Sequence, residues 1–204
     1  LSTWLKFNQA GTTEGIFSAD TGGGNWMEFR RHQSGQLMVY FQNSSDGYLI
    51  TDTVLNDTSA FHHVVLAFDT TQAVESNRVN LYVDGSLVTA FAIEQYPSHN
   101  LEAAVNNSVT QMIGETGVRN YFDGRMADFV LVDGQALGAD AFGELDASNT
   151  WVAKAPAVSD YGANGFHLQF ANSGDLGADA SGQDNGFGVN GSVSQVGEAP
   201  STVQ

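Results

Sequence analysis

Cysteine is absent from the 204 residues, so neither a disulfide nor a thiolate metal site is available and the redox compartment stays open. Proline is scarce, 3 residues against 23 glycines, which leaves chain reversal to Gly, Asn, Asp and Ser. Basic residues are the third shortage: Lys+Arg number 7 against 23 Asp+Glu, a formal charge of −16. Such a chain is a poor partner for a polyanion held through its phosphates, which excludes nucleic acid as the ligand. Anionic polysaccharides are disfavoured too, and only a local basic cluster at Arg30 and Arg31 would hold one. No apolar run approaches the length of a bilayer span, so membrane insertion is not expected. No signal peptide is visible, and the chain opens at Leu1 inside what reads as a strand, as a piece of a longer polypeptide would.

What is present is a series of short alternating segments separated by turn residues, an all-β pattern. Leu1 to Phe7 places Leu1, Thr3, Leu5 and Phe7 on one side, with Ser2, Trp4 and Lys6 on a partly polar other side. Strands are expected over 15–19 and 26–31, and a hairpin over 36–42 and 47–52 joined by Asn43-Ser44-Ser45-Asp46-Gly47. A further strand is expected over 62–69, and a second hairpin pairs Arg78–Asp84 with Ser86–Ile93 about Asp84-Gly85. Leu137 to Leu145 suits one or two helical turns, and 164–170 another strand. The run NYFDGRMADFVLVDGQAL, Asn120 to Leu137, organises the rest. Ala127, Phe129 and Leu131 alternate with Met126, Val130 and Val132, so both faces are apolar, as in a strand covered on both sides. The expected fold is a two-sheet antiparallel β-sandwich, one domain over 1–196, with an extended tail over 197–204.

That run resembles the closing strand of concanavalin A-like, laminin G-type jelly-roll domains. HHVVLAFDTTQAVESNRVNLYVDGSLV, His62 to Val88, is similar to paired strands of such domains in marine bacteriophage structural proteins, as are YGANGFHLQF, DASGQDNGF and VSQVGEAPS. The resemblance implies a jelly roll in a virion protein, tail fibre or capsid-associated. Its partners would then be a cell-surface glycan or polysaccharide and other virion proteins, and fibres of this kind suggest a trimer. The fold itself hosts lectins, glycanases, lyases and inert spacers alike, so function has to come from a site.

A retaining glycanase needs two carboxyls roughly 5 Å apart on the concave face. The nearest match, Glu144-Leu145-Asp146-Ala147-Ser148-Asn149, has Asn149 where the last Glu belongs and sits among turn residues. A polysaccharide lyase needs a His or Tyr base and a group that neutralises the uronate. Arg30, Arg31 and His32 are adjacent, but alternation sends the two arginines to opposite faces, and the trio reads as a solvated strand end. His62 and His63 also alternate, so they cannot chelate one metal, and one of them reads as a satisfied, partly buried histidine. Calcium is the ion that oxygen-rich loops suit, with Asp175, Asp179 and Asp184 beside Asn185 the best cluster, although its spacing is not that of an EF-hand. Sugar binding needs an aromatic face beside amides or carboxylates. Tyr96 with His99 and Asn100 is preferred because it lies in the longest irregular loop; Tyr48 and Trp26 are the other candidates. The expected protein is therefore a non-catalytic carbohydrate-binding or decoration module. A purely structural module, or a lyase or hydrolase on the same fold, remains the alternative.

Overall fold

A computed structural model describes residues 1–41, 47–117 and 120–202. The expected loop residues Asn43 to Asp46 lie outside them. The strands in chain order are β1 (Ser2–Phe7), β2 (Glu14–Asp20), β3 (Trp26–Arg31), β4 (Gln36–Phe41), β5 (Tyr48–Val54), β6 (His62–Phe68), β7 (Val79–Val83) and β8 (Ser86–Leu87). They continue with β9 (Phe91–Gln95), β10 (Thr110–Ile113), β11 (Glu115–Thr116), β12 (Asn120–Tyr121), β13 (Gly124–Leu131), β14 (Gly143–Leu145), β15 (Trp151–Ala153) and β16 (Phe166–Leu168). Two six-stranded sheets result, β16-β13-β1-β6-β7-β8 and β10-β2-β3-β4-β5-β9, with antiparallel pairing throughout.

Alternation places Leu5, Phe7, Val64, Leu66, Leu81 and Phe129 of the first sheet against Phe17, Phe29, Val39, Phe41 and Leu49 of the second, forming one buried core. The outer face of the first sheet is also covered. Residues 137–161 fold back on it, and Phe142, Trp151 and Tyr161 join Val65 and Val130 in a second apolar cluster. Its centre is His63, fully buried, stacked on Trp4 at 4.6 Å between ring centres and accepting a 3.0 Å hydrogen bond from the Trp151 indole. Trp151 fits there because Gly85 and Gly143 have no side chains: a Cβ on either would lie 2.5 or 2.6 Å from its ring. His63 is thus the buried, satisfied member of the histidine pair, and His62 turns to the Asp84 carboxylate at 2.9 Å.

Two sequence expectations need correction. The alternation in β13 is broken at Asp128, whose φ of +52° inserts a bulge opposite Ser2 to Trp4. The parity flips there, so Met126, not Ala127, shares the core side with Phe129 and Leu131. Asp128 is held by a 2.6 Å bond to His167 Nε2. Secondly, Ser86–Ile93 is not one return strand. Only β8 pairs with β7; the chain then crosses the sandwich edge and β9 pairs with β5 in the other sheet. The helical turn expected within Leu137–Leu145 is a single 3-10 turn, Ala139–Ala141, before β14. Beyond Val196 the chain reaches Thr202, which bridges Ala153, while Glu198 pairs with Lys6 and Arg125.

Candidate carbohydrate-binding face

The outward face of the second sheet is where aromatic and polar side chains converge. Residues paired across antiparallel strands project to the same side, which gives three rows. Thr110, Asp20 and Trp26 form the first; Met112, Ser18, Glu28, Tyr40, Tyr48 and Gln95 the second; Arg30, Met38, Ile50 and Ile93 the third. One end is roofed by the β11–β12 hairpin, which approaches so closely that a Cβ on Gly15 would lie 2.5 Å from Asn120 O. Ser18 Oγ donates to Glu115 O at 3.0 Å and fastens that roof to β2. The remainder of the face is open.

In the open part the rings run in sequence. Trp26 and Tyr40 are 6.2 Å apart between centres, and Tyr40 and Tyr48 stack at 4.3 Å. Tyr40 Oη donates to Tyr48 Oη at 3.0 Å. The Arg30 guanidinium carbon sits 4.5 Å from the Tyr40 ring centre, and its Nη2 donates to Tyr40 Oη at 2.8 Å. Nη1 donates to Glu28 Oε2 at 3.3 Å. Burial pushes the Glu28 carboxyl up, and Arg30 offsets part of that rise. Burial, together with the Tyr40 hydrogen bond, pushes the Tyr48 phenol up to about 12, so it is a neutral hydrogen-bonding group and a poor base. The arrangement offers flat apolar surface with hydroxyl, amide and carboxylate groups around it, the combination a pyranose needs.

The structure brings two of the expected residues, Trp26 and Tyr48, onto this face, with Tyr40 between them. Tyr96, His99 and Asn100 lie elsewhere. Glu94 pairs with Leu49, so Glu94 and Tyr96 project to the core side of β9, where Tyr96 Oη donates to Glu94 Oε1 at 2.6 Å. His99 is 3.1 Å from Thr71 O, and Asn100, at φ +60°, donates its backbone N–H to Thr70 O while its side-chain Nδ2 lies 3.2 Å from His99 Nδ1. That loop is therefore fastened to residues 70–71. Tyr40 and Glu28 were missed from sequence, although the pattern Trp26-x-Glu28-x-Arg30 beside Met38-x-Tyr40 carries the signal: period two puts all five on one side.

Arg30 and Arg31 take opposite faces, as alternation predicts, so they form no basic cluster, and Arg31 is not part of a solvated strand end. Arg31 is fully buried at the end of the core, its guanidinium carbon 4.5 Å from the Phe7 ring centre. It donates to Leu55 O at 2.8 Å and to Glu14 Oε1 at 3.4 Å. Asp179 spends both carboxylate oxygens on the amides of His167, Ser181 and Asn185 and on the Ser181 hydroxyl. Among the described residues no group of three His, Cys, Asp or Glu has metal-holding geometry, so Asp175, Asp179 and Asp184 do not converge. Glu144 begins a hairpin tip where Asp146 Oδ1 caps the amides of Ser148 and Thr150.

Residues 1–143 match the family model described as the concanavalin A-like lectin/glucanases superfamily. The chain belongs to that superfamily. No curated protein matches the sequence. Among solved structures the chain is similar to the CBM40 of the Ruminococcus gnavus IT-sialidase bound to α2,3-sialyllactose, with 18% identity over 61% of this chain and 71% of that one and a TM-score of 0.43. The same CBM40 bound to α2,6-sialyllactose gives 18% identity over 68% and 77%, with a TM-score of 0.46. A heptameric SAP-like pentraxin from Limulus polyphemus gives 16% over 62% and 59%, with a TM-score of 0.44. Membership of the superfamily rests on the family match and agrees with the sheet topology; what the superfamily member does has to be read from the face just described.

Proposed function

We propose that this superfamily member is a non-catalytic carbohydrate-binding module that serves adhesion or decoration. The observation that carries the reading is the aromatic row Trp26, Tyr40 and Tyr48 on the open part of a sheet face that also carries Asp20, Glu28, Arg30 and Gln95. The resemblance of the His62–Val88 run to phage structural proteins supports a place on a virion surface, beside other virion proteins and in several copies. Multiple copies, as in a trimeric fibre, raise avidity without requiring a tight single site.

Migration of the purified chain through native gels cast with a panel of polysaccharides tests the reading. Retardation is expected on at least one polymer, with no cleared zone on staining. Trp26→Ala and Tyr48→Ala are each expected to weaken that retardation at least tenfold, about 1.4 kcal/mol, whereas His99→Ala leaves it unchanged. Clearing of the gel would identify a lyase or hydrolase instead, and absence of retardation on every polymer would leave the structural virion module as the function.

A further inference from the structure

We infer that the sugar accepted by this face is uncharged, and that Glu28 sets this selectivity by holding Arg30. The inference rests on the carbohydrate-binding reading above. Arg30 and Arg31 are the two basic residues in the six strands of the sheet. Arg31 is turned into the core end and fully buried, which leaves Arg30 as the one cation these strands can offer an acidic sugar. Its guanidinium is already engaged, through Nη1 to the Glu28 carboxylate, through Nη2 to the Tyr40 hydroxyl, and through its flat face to the Tyr40 ring. The Arg30 Nε–H is buried without a partner, so an incoming carboxylate or sulfate would reach only the Nη edge, where it would either lie against the Glu28 carboxylate or displace it and leave the 6% exposed Glu28 as an unpaired anion.

The surroundings add the same bias. Asp20 is exposed, directly across from Trp26, and borders an open groove of about 680 Å³ with Thr21, Ser108 and Thr110. Its Oδ1 accepts from the Gly22 amide at 2.7 Å. Carboxylate and hydroxyl groups beside an indole accept hydrogen bonds from sugar hydroxyls, but they repel a second anion. A neutral hexopyranose polymer disturbs no ion pair here, whereas a uronate or sulfated polymer meets the Asp20 and Glu28 carboxylates and an arginine already paired with one of them.

Charge can be isolated by casting gels with polyuronates and with the carboxyl-reduced form of each, at an ionic strength that screens the net charge of the chain to about 8 Å. The unmodified protein should be retarded at least fivefold more by the reduced, neutral member of a pair. Glu28→Gln frees Arg30 and should raise the ratio of acidic to neutral retardation at least fivefold. Asp140→Asn, which removes one exposed charge from the 3-10 turn beyond the other sheet, should leave that ratio where it was. Stronger retardation of the unmodified protein by the acidic members, or an unchanged ratio in Glu28→Gln, overturns the inference while leaving the carbohydrate reading standing. No retardation by any member overturns both.

Discussion

Arg31→Met should lower the stability of the domain by roughly 3–5 kcal/mol, the usual cost of removing one partner of a buried ion pair. For a chain of this length that is a fall in Tm on the order of 10 °C. The size follows from what Arg31 joins. Its Nε serves Leu55 O, Nη1 reaches Gln9 O, Thr12 O and Glu14, and Nη2 reaches Asn56 Oδ1. Glu14, 1% exposed, also accepts from the Thr12 hydroxyl and the Asp123 amide. One guanidinium therefore closes the end of the sandwich over Phe7. Methionine fills the space of the stem but strands the Glu14 charge and several carbonyls. Glu14 is already pushed up by burial, with the Asp123 amide, Thr12 and Arg31 acting against that rise. Without Arg31 its folded pKa rises further above the unfolded value. A carboxyl raised on folding is stabilising below its unfolded pKa, and that contribution is lost as pH rises through the folded one. The penalty of Arg31→Met should accordingly shrink on acidification, and Glu14→Gln in the same chain should recover part of it. Denaturant unfolding at pH 7 and pH 5 measures both effects; a loss below 1 kcal/mol at pH 7 would remove Arg31 from this role.

How far the sequence leads is decided by what side-chain alternation encodes. It places a residue on one side of its strand, which is enough to find the sandwich, to separate Arg30 from Arg31 and to separate His62 from His63. It does not say whether that side meets the core, a covering segment or solvent. Arg31 reads as a strand-end charge because its acceptors, Leu55 O and Gln9 O, belong to loops remote in sequence. Ser2 and Trp4 read as a partly polar surface because the segment that buries them lies more than a hundred residues away. A one-residue bulge is equally silent, so Asp128 reverses the faces of β13 in a run that alternates without interruption. For the site, the preference for an irregular loop favoured Tyr96, His99 and Asn100, whose polar groups are turned to their own loop and its neighbour. Trp26 and Tyr48 were legible as single aromatics. Their union through Tyr40 depends on strand order, which the sequence leaves open.

Acidification from pH 6.5 to pH 4 should weaken the domain through His63, by up to about 3 kcal/mol if no other group responds. Burial lowers its pKa from the ordinary 6.5 to about 4, against small opposing pulls from Asp84 and Asp128. The hydrogen bonds give the cause a chemical form. An indole N–H can only donate, so Nδ1 of His63 must carry the lone pair that accepts from Trp151, and Nε2–H is left to donate to Ser2 Oγ at 2.8 Å. A proton on Nδ1 would face the Trp151 N–H. A histidine depressed on folding contributes stability that is complete above its unfolded pKa and is lost as pH falls towards the folded one, so the window lies between about 6.5 and 4. His62 has the opposite sign. Its bond to Asp84 raises it, and its contribution is present at low pH and lost as pH rises through the folded value. Nitrogen chemical shifts of the imidazoles separate the two: His63 should remain the neutral Nε2–H tautomer at pH 5.5, where His62 is protonated. Because Trp151 fastens residues 137–161 over the first sheet, the acid transition should first expose amides of that cover to hydrogen exchange. His63→Phe, which keeps the stacking on Trp4 and cannot titrate, should flatten the pH dependence in this window. If His63 instead titrates near pH 6.5 in the folded protein, the cover is not held by a neutral imidazole.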